Sequence, residues 1–148
     1  MGGRVVRKTM SAEETERSGA ALAAELSAGD VVLLRGDLGT GKTTFVRGAC
    51  HALGVEGPVT SPTFTIGRTY EVEGKGERGS ISHLDLYRLG SLSEEDPALL
   101  DDYLGEDRIA FIEWPPAEDE VLAFPVAGDL RTVTIELLDD GGRELVVE

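Results

Sequence analysis

Residues 36–43 read Gly-Asp-Leu-Gly-Thr-Gly-Lys-Thr, which satisfies G-x-x-x-x-G-K-[ST] at every fixed position. A loop of this kind binds phosphate. Gly36, Gly39 and Gly41 let the backbone curl until its N–H groups face one point, and a following helix adds the positive end of its dipole. The segment Gly36-Asp37-Leu38-Gly39-Thr40-Gly41-Lys42-Thr43-Thr44 is therefore the candidate nucleotide-binding loop. Lys42 has the reach and charge for β- and γ-phosphates, and Thr43 can offer its hydroxyl to Mg²⁺. A plain glycine turn would not explain the flanks. The apolar run Val31-Val32-Leu33-Leu34 precedes the loop and a helix-like stretch from Thr43 to Leu53 follows it. Strand, glycine loop and helix in that order predict a nucleoside triphosphate site.

Two acids stand where such a site would need them. Asp85 ends the run Ile81-Ser82-His83-Leu84, and Glu113 ends Ile109-Ala110-Phe111-Ile112. Ligands of open α/β sheets bind beyond the carboxyl ends of the strands. A loop-held Mg²⁺ takes a carboxylate directly or through water, and hydrolysis needs a group that positions the attacking water. Asp85 and Glu113 are thus the metal and catalytic candidates, with Lys42 as the third catalytic group. The alternative for either acid is a solvated side chain at a strand end. Four apolar residues precede Glu113, whereas Ser82 and His83 interrupt the run before Asp85.

The elements that must position these groups follow an α/β order. Val5 to Thr9 reads as a short strand. Ser11-Ala12-Glu13-Glu14 is a capping box for a helix that runs through Ala20–Leu26 and is expected to stop at Gly29. Val31–Arg35 is apolar without alternation, as in a strand buried on both faces. Phe45, Ala49, Ala52 and Leu53 form the expected core stripe of the next helix. Residues 66–73 and 81–85 read as an antiparallel pair across the glycine-rich turn 74–79. Ser93 to Tyr103 reads as a helix, Ile109–Ile112 as a buried strand, and residues 131–138 with 144–147 as a closing hairpin across Asp139-Asp140-Gly141-Gly142. The fold class expected is α/β, a three-layer phosphate-loop NTPase type whose mostly parallel central sheet carries antiparallel additions and a C-terminal hairpin. The chain reads as a single domain, residues 1–148.

Composition narrows the partners. Fourteen basic against 28 acidic residues give a net charge of −14, whereas nucleic-acid binders draw most of their affinity from basic faces. Direct tight binding of DNA or RNA is not expected. No apolar run approaches the roughly 20 residues that span a bilayer, the N-terminus lacks a signal-peptide core, and the single cysteine, Cys50, is expected as a small buried thiol. A cytoplasmic, membrane-free protein is expected.

Taken together, the loop at Gly36–Thr44, Ser61-Pro62-Thr63-Phe64, His83-Leu84-Asp85-Leu86-Tyr87-Arg88 and Ile112-Glu113-Trp114-Pro115 make a chain that resembles the TsaE (YjeE-like) ATPases of bacterial tRNA threonylcarbamoyladenosine biosynthesis. The likeness runs from about Val5 to Val147. It departs from the family's usual Gly-Leu pair after Glu94-Glu95, where this chain has Asp96-Pro97-Ala98-Leu99-Leu100. The resemblance implies ATP and Mg²⁺ as cofactors, with Thr43 and Glu113 as Mg²⁺-associated residues and Asp85 as a second essential acid. It places Ser61 and Thr63 in a switch loop that senses the γ-phosphate, and Ser11 near the base or ribose. His83 is expected to face the sheet interior or pair with a neighbouring loop. The implied partners are TsaD-like and TsaB-like proteins, with tRNA met only through their complex, and the implied role is an ATPase that resets that complex for repeated rounds. Two alternatives stand beside it: a small-molecule kinase, although no arginine-bearing lid is legible, and a regulatory ATP sensor.

Overall fold

A computed structural model of the chain describes residues 3–37, 39–60, 67–74, 77–86, 103–113 and 126–148. Its elements run β1 (Val5–Thr9), α1 (Ala12–Ala23), β2 (Val31–Arg35), α2 (Lys42–Ala52), β3 (Gly67–Gly74), β4 (Glu77–Asp85), β5 (Arg108–Glu113), β6 (Leu130–Leu137) and β7 (Arg143–Val147). The parallel centre grows outward from β2. It pairs with β5 from Val31↔Ala110 to Leu34↔Glu113 and with β6 from Val31↔Leu130 to Arg35↔Thr134, and β4 lies parallel on the far side of β5. Antiparallel strands complete both edges, giving the order β1-β7-β6-β2-β5-β4-β3. The α/β class, the parallel core, the antiparallel additions and the C-terminal hairpin agree with the expectation from sequence.

The unbroken apolar run of β2 follows from its central place. Val32 and Leu34 face one core with Phe45, Val46, Ala49 and Cys50 of α2 and Leu22 of α1. Val31 and Leu33 face the other side with Leu84, Ala110, Ile112, Leu86 and Leu104. Strands covered on both faces have no solvent side to encode, so they do not alternate. At the other end of β2, the buried Asp30 accepts from the N–H groups of Ser27 and Asp129, both at 2.8 Å, which ties the entries of β2 and β6 together.

Several local expectations need correcting. Helix α1 ends at Ala23 rather than near Gly29. The N–H groups of Glu25 and Leu26 turn to the carbonyls of Leu22 and Ala23, a tightened last turn that leads into the Asp30 anchor. In the cap, Ser11 Oγ accepts from Glu14 N–H as expected, but the Glu14 carboxylate reaches back to Met10 N–H at 3.0 Å. In α2, Ala52 is exposed, and Val46 and Cys50 occupy the core beside Phe45 and Ala49. The β3–β4 pairing continues to Gly74↔Glu77, well into the stretch read as a turn; a hairpin end with little to bury carries no alternation to read. The helix expected at 93–103 lies outside the described residues except for Tyr103.

Two glycines set the helix crossing. A Cβ on Gly48 of α2 would lie 2.0 Å from the Glu16 carbonyl oxygen of α1, and one on Gly19 would lie 2.1 Å from the Phe45 carbonyl oxygen. The helices therefore touch backbone to backbone, and the start of α2 is held against α1 as well as against the sheet. Gly48→Ala is expected to destabilise the fold by roughly 1–3 kcal/mol through this overpacking, as urea unfolding would measure.

Candidate functional site

Glycines with positive φ at Gly39 (78°) and Gly41 (108°) carry the chain from β2 into α2 through conformations that side chains disfavour. The loop then folds on itself. Thr40 Oγ1 donates to the Asp37 carbonyl at 2.9 Å, and Lys42 Nζ donates to the carbonyls of Gly36 and Asp37 at 2.6 and 2.9 Å. Lys42 is only 5% exposed. Burial lowers its pKa from the ordinary lysine value, while the charges of Glu113, Asp85 and Asp37 pull it back up. A cation kept near three acids in a partly dry loop is suited to anionic oxygens.

The sheet register places both candidate acids beside that loop. Asp85 and Glu113 are direct neighbours at the ends of β4 and β5, and Glu113 in turn lies opposite Leu34 of β2. Strand alternation aims Glu113, His83 and Asp85 toward the face that carries α2. Thr43 Oγ1 donates to the Glu113 carboxylate, 3.1 Å from Oε1 and 3.0 Å from Oε2. His83 Nε2 lies 2.5 Å from Glu113 Oε2. His83 is completely buried, and its Nδ1 has no hydrogen-bond partner among the described residues. Glu113, itself 3% exposed, is thus gripped from two elements at once. Sequence reading left His83 as an interior or loop-paired residue; its spacing of two from Asp85 is the signal that both share this face.

Lys42, Thr43, Asp85 and Glu113 are therefore brought together, and Gly36, Asp37, Gly39, Thr40, Gly41 and Thr44 form the loop and helix start around them. Ser11 caps α1. Leu38, Ser61 and Thr63 fall outside the described residues, as do Tyr87, Arg88 and Trp114. Cys50 is buried, its thiol pushed up to about 12 by burial, so it stays protonated in the core. Among the described residues no three His, Cys, Asp or Glu side chains cluster as metal ligands, and no helix is long and apolar enough to cross a membrane. One contact had no sequence signal: Arg143 of β7 donates to the loop carbonyl of Thr40.

Comparison with known proteins finds relatives of this chain. A family model described as "Threonylcarbamoyl adenosine biosynthesis protein TsaE" matches residues 9–145. A Mycobacterium tuberculosis protein named "tRNA threonylcarbamoyladenosine biosynthesis protein TsaE" is 43% identical over 108 residues, 69% of this chain and 63% of that protein. A Treponema pallidum protein of the same name is 34% identical over 137 residues, 93% of this chain and 95% of that protein. The match thus spans a little under two thirds of the mycobacterial relative and nearly all of the treponemal one. The crystal structure of YdiB from Bacillus subtilis superposes with a TM-score of 0.69 at 28% identity, covering 99% of this chain and 86% of that one.

Lys42→Ala removes a buried cation and two bonds that brace the loop. It is expected to weaken Mg-ATP affinity at least about tenfold while leaving the sheet folded, since the apolar contacts of α2 are made by Phe45, Val46 and Ala49. Calorimetric titration beside a thermal melt checks both halves.

Proposed function

This chain belongs to the TsaE family of threonylcarbamoyl adenosine biosynthesis proteins, and we propose that it is an Mg²⁺-dependent ATPase that serves tRNA threonylcarbamoyladenosine formation by acting on a TsaB–TsaD-type complex. The observation that carries the reading is the contact of Thr43 Oγ1 with both oxygens of Glu113, at 3.1 and 3.0 Å, beside the glycine loop. A hydroxyl and a carboxylate in contact are the hard oxygen donors that suit Mg²⁺, which takes its other ligands from phosphate and water. Thr43 and Glu113 would hold it, with Asp85 alongside, and the ion would supply charge neutralisation across the β- and γ-phosphates.

The chain's own groups do the remaining work. The loop N–H groups and the start of α2 bind the phosphate oxygens. Lys42 exchanges its carbonyl partners for phosphate, contributing charge where it develops in transfer. Asp85, next to Glu113, orients the attacking water. His83 fixes the rotamer of Glu113, so the carboxylate is set before nucleotide arrives. Ser61 and Thr63 would sense the γ-phosphate from the switch loop, and Ser11 would approach the base or ribose.

Hydrolysis by the isolated protein is expected to be slow. No arginine among the described residues is seated as a finger, and a finger supplied in trans is worth about 10³–10⁵ in rate. A site completed by docking couples hydrolysis to the partner, which is what a resetting ATPase needs. The net charge of −14 fits a protein that leaves tRNA to its partners, and the single buried thiol suits a reducing cytoplasm.

Asp85→Ala and Glu113→Ala are expected to lower partner-stimulated ATP turnover by about 10²-fold or more with a smaller loss in nucleotide affinity. His83→Leu should lower turnover as well, and His83→Gln should recover part of it by donating an amide N–H to Glu113. Steady-state ATPase assays beside Mg-ATP titrations separate these effects. For the pathway role, modified tRNA is counted per TsaB–TsaD complex over time. This chain should raise ATP turnover with the complex and permit repeated cycles, and Lys42→Ala should abolish them. Equal multiple-turnover yields with and without the chain would refute the role, and phosphorylation of a small metabolite by the isolated protein would point to a kinase instead.

A further inference from the structure

Arg143 belongs to no motif, yet it reaches the glycine loop from the far end of the chain. Its Nε donates to the Thr40 carbonyl at 2.6 Å, and its Nη2 to the Gly39 carbonyl at 3.4 Å. Its stem lies flat on Gly41, where a Cβ would sit 3.4 Å from Nε and 3.5 Å from Cδ. The residue is also held firmly. It opens β7, paired with Thr9 of β1 and Leu137 of β6. The turn before it is closed by Leu138 N–H to Gly142 O at 2.8 Å and by Gly142 N–H to Asp140 Oδ1 at 2.9 Å, and Lys8 binds Asp140 from β1.

We propose that Arg143 is a positioning residue for the phosphate site, a strap that holds the loop in its anion-binding shape before any ligand arrives. The reasoning is a matter of peptide geometry. In a trans peptide the C=O and N–H point opposite ways, so a donor that fixes a carbonyl also aims the N–H of the same unit. Lys42 takes the carbonyls of Gly36 and Asp37, and Phe45 N–H takes that of Gly41 at 2.9 Å. Arg143 takes those of Gly39 and Thr40. Each carbonyl among the described residues of the loop is thus engaged. The Thr40 N–H closes onto Asp37 O at 3.3 Å, and the Gly41 N–H shares a peptide unit with the Thr40 carbonyl that Arg143 holds, so it is aimed away from Arg143. The fork of a guanidinium spans two adjacent carbonyls, which the single ammonium of a lysine does less well.

This inference rests on the loop being the nucleotide phosphate site, and two readouts keep the two ideas apart. Amide hydrogen exchange of residues 39–41, without ligand, reads the strap directly. Titration with Mg-ADP and with inorganic tripolyphosphate reads its consequence. In Arg143→Met the loop amides should exchange about tenfold faster while the β1–β7 ladder keeps its protection. ADP and tripolyphosphate should weaken by the same factor, roughly tenfold or more, and Arg143→Lys should fall between. If Arg143→Met does not fold, Arg143→Lys carries the same comparison, since it keeps the stem and the charge. Unchanged loop exchange overturns the proposal, as does a loss of ADP affinity with tripolyphosphate binding intact, which would put Arg143 on the nucleoside. Faster loop exchange in a protein that binds neither ligand would uphold the strap and overturn the nucleotide reading.

Discussion

Leu34, Glu113 and Asp85 lie side by side across β2, β5 and β4, and the rest of the site depends on that row. Parallel strands that start together finish together, so the glycine loop leaving β2 emerges beside two carboxylates that lie far down the chain from it. A slip of one residue in the β2–β5 register would turn Glu113 to the opposite face, away from Thr43. What prevents the slip is apolar. Val32, Leu34 and Phe111 must meet the α2 face while Val31, Leu33 and Ile112 meet the other. The packing of two cores thereby sets the Glu113 carboxylate within hydrogen-bond reach of Thr43.

Burying charged groups at this edge is costly, and the structure offsets the cost by pairing. Lys42 is desolvated enough to lower its pKa, and the nearby negative charge of Glu113, Asp85 and Asp37 works in the other direction. Glu113 meets Thr43 and His83. Each group is held by the others, so the arrangement is set by the protein's own contacts. A residual imbalance is His83 Nδ1, buried with no hydrogen-bond partner among the described residues. Such an orphan is a destabilising feature, kept at a place where the other ring nitrogen orients a candidate metal-associated acid.

The C-terminal hairpin extends the same logic to the other side of the loop. It is an edge element, yet β7 pairs with both β1 and β6 and presents Arg143 to the loop backbone. The phosphate loop is consequently braced from the sheet on one side and from the hairpin on the other.

The sequence by itself determined the local and the periodic. The loop from Gly36 to Thr43 was legible because glycine conformation and Lys-Thr chemistry act within a few residues. The strand at Val31–Arg35 was legible because burial on both faces removes alternation. Asp85 and Glu113 were legible as strand-end acids, since fold class alone says which end of a strand meets ligand. The ends of α1, the tilt of Glu14 toward Met10 and the exposure of Ala52 were not, because competing hydrogen bonds and the helix crossing at Gly19 and Gly48 decide them. Only the tertiary structure decided that His83 grips Glu113 across two strands and that Arg143 reaches Thr40 over 103 positions. These are contacts between residues far apart in the chain. Their energies depend on distance in space, and no spacing along the sequence encodes that distance.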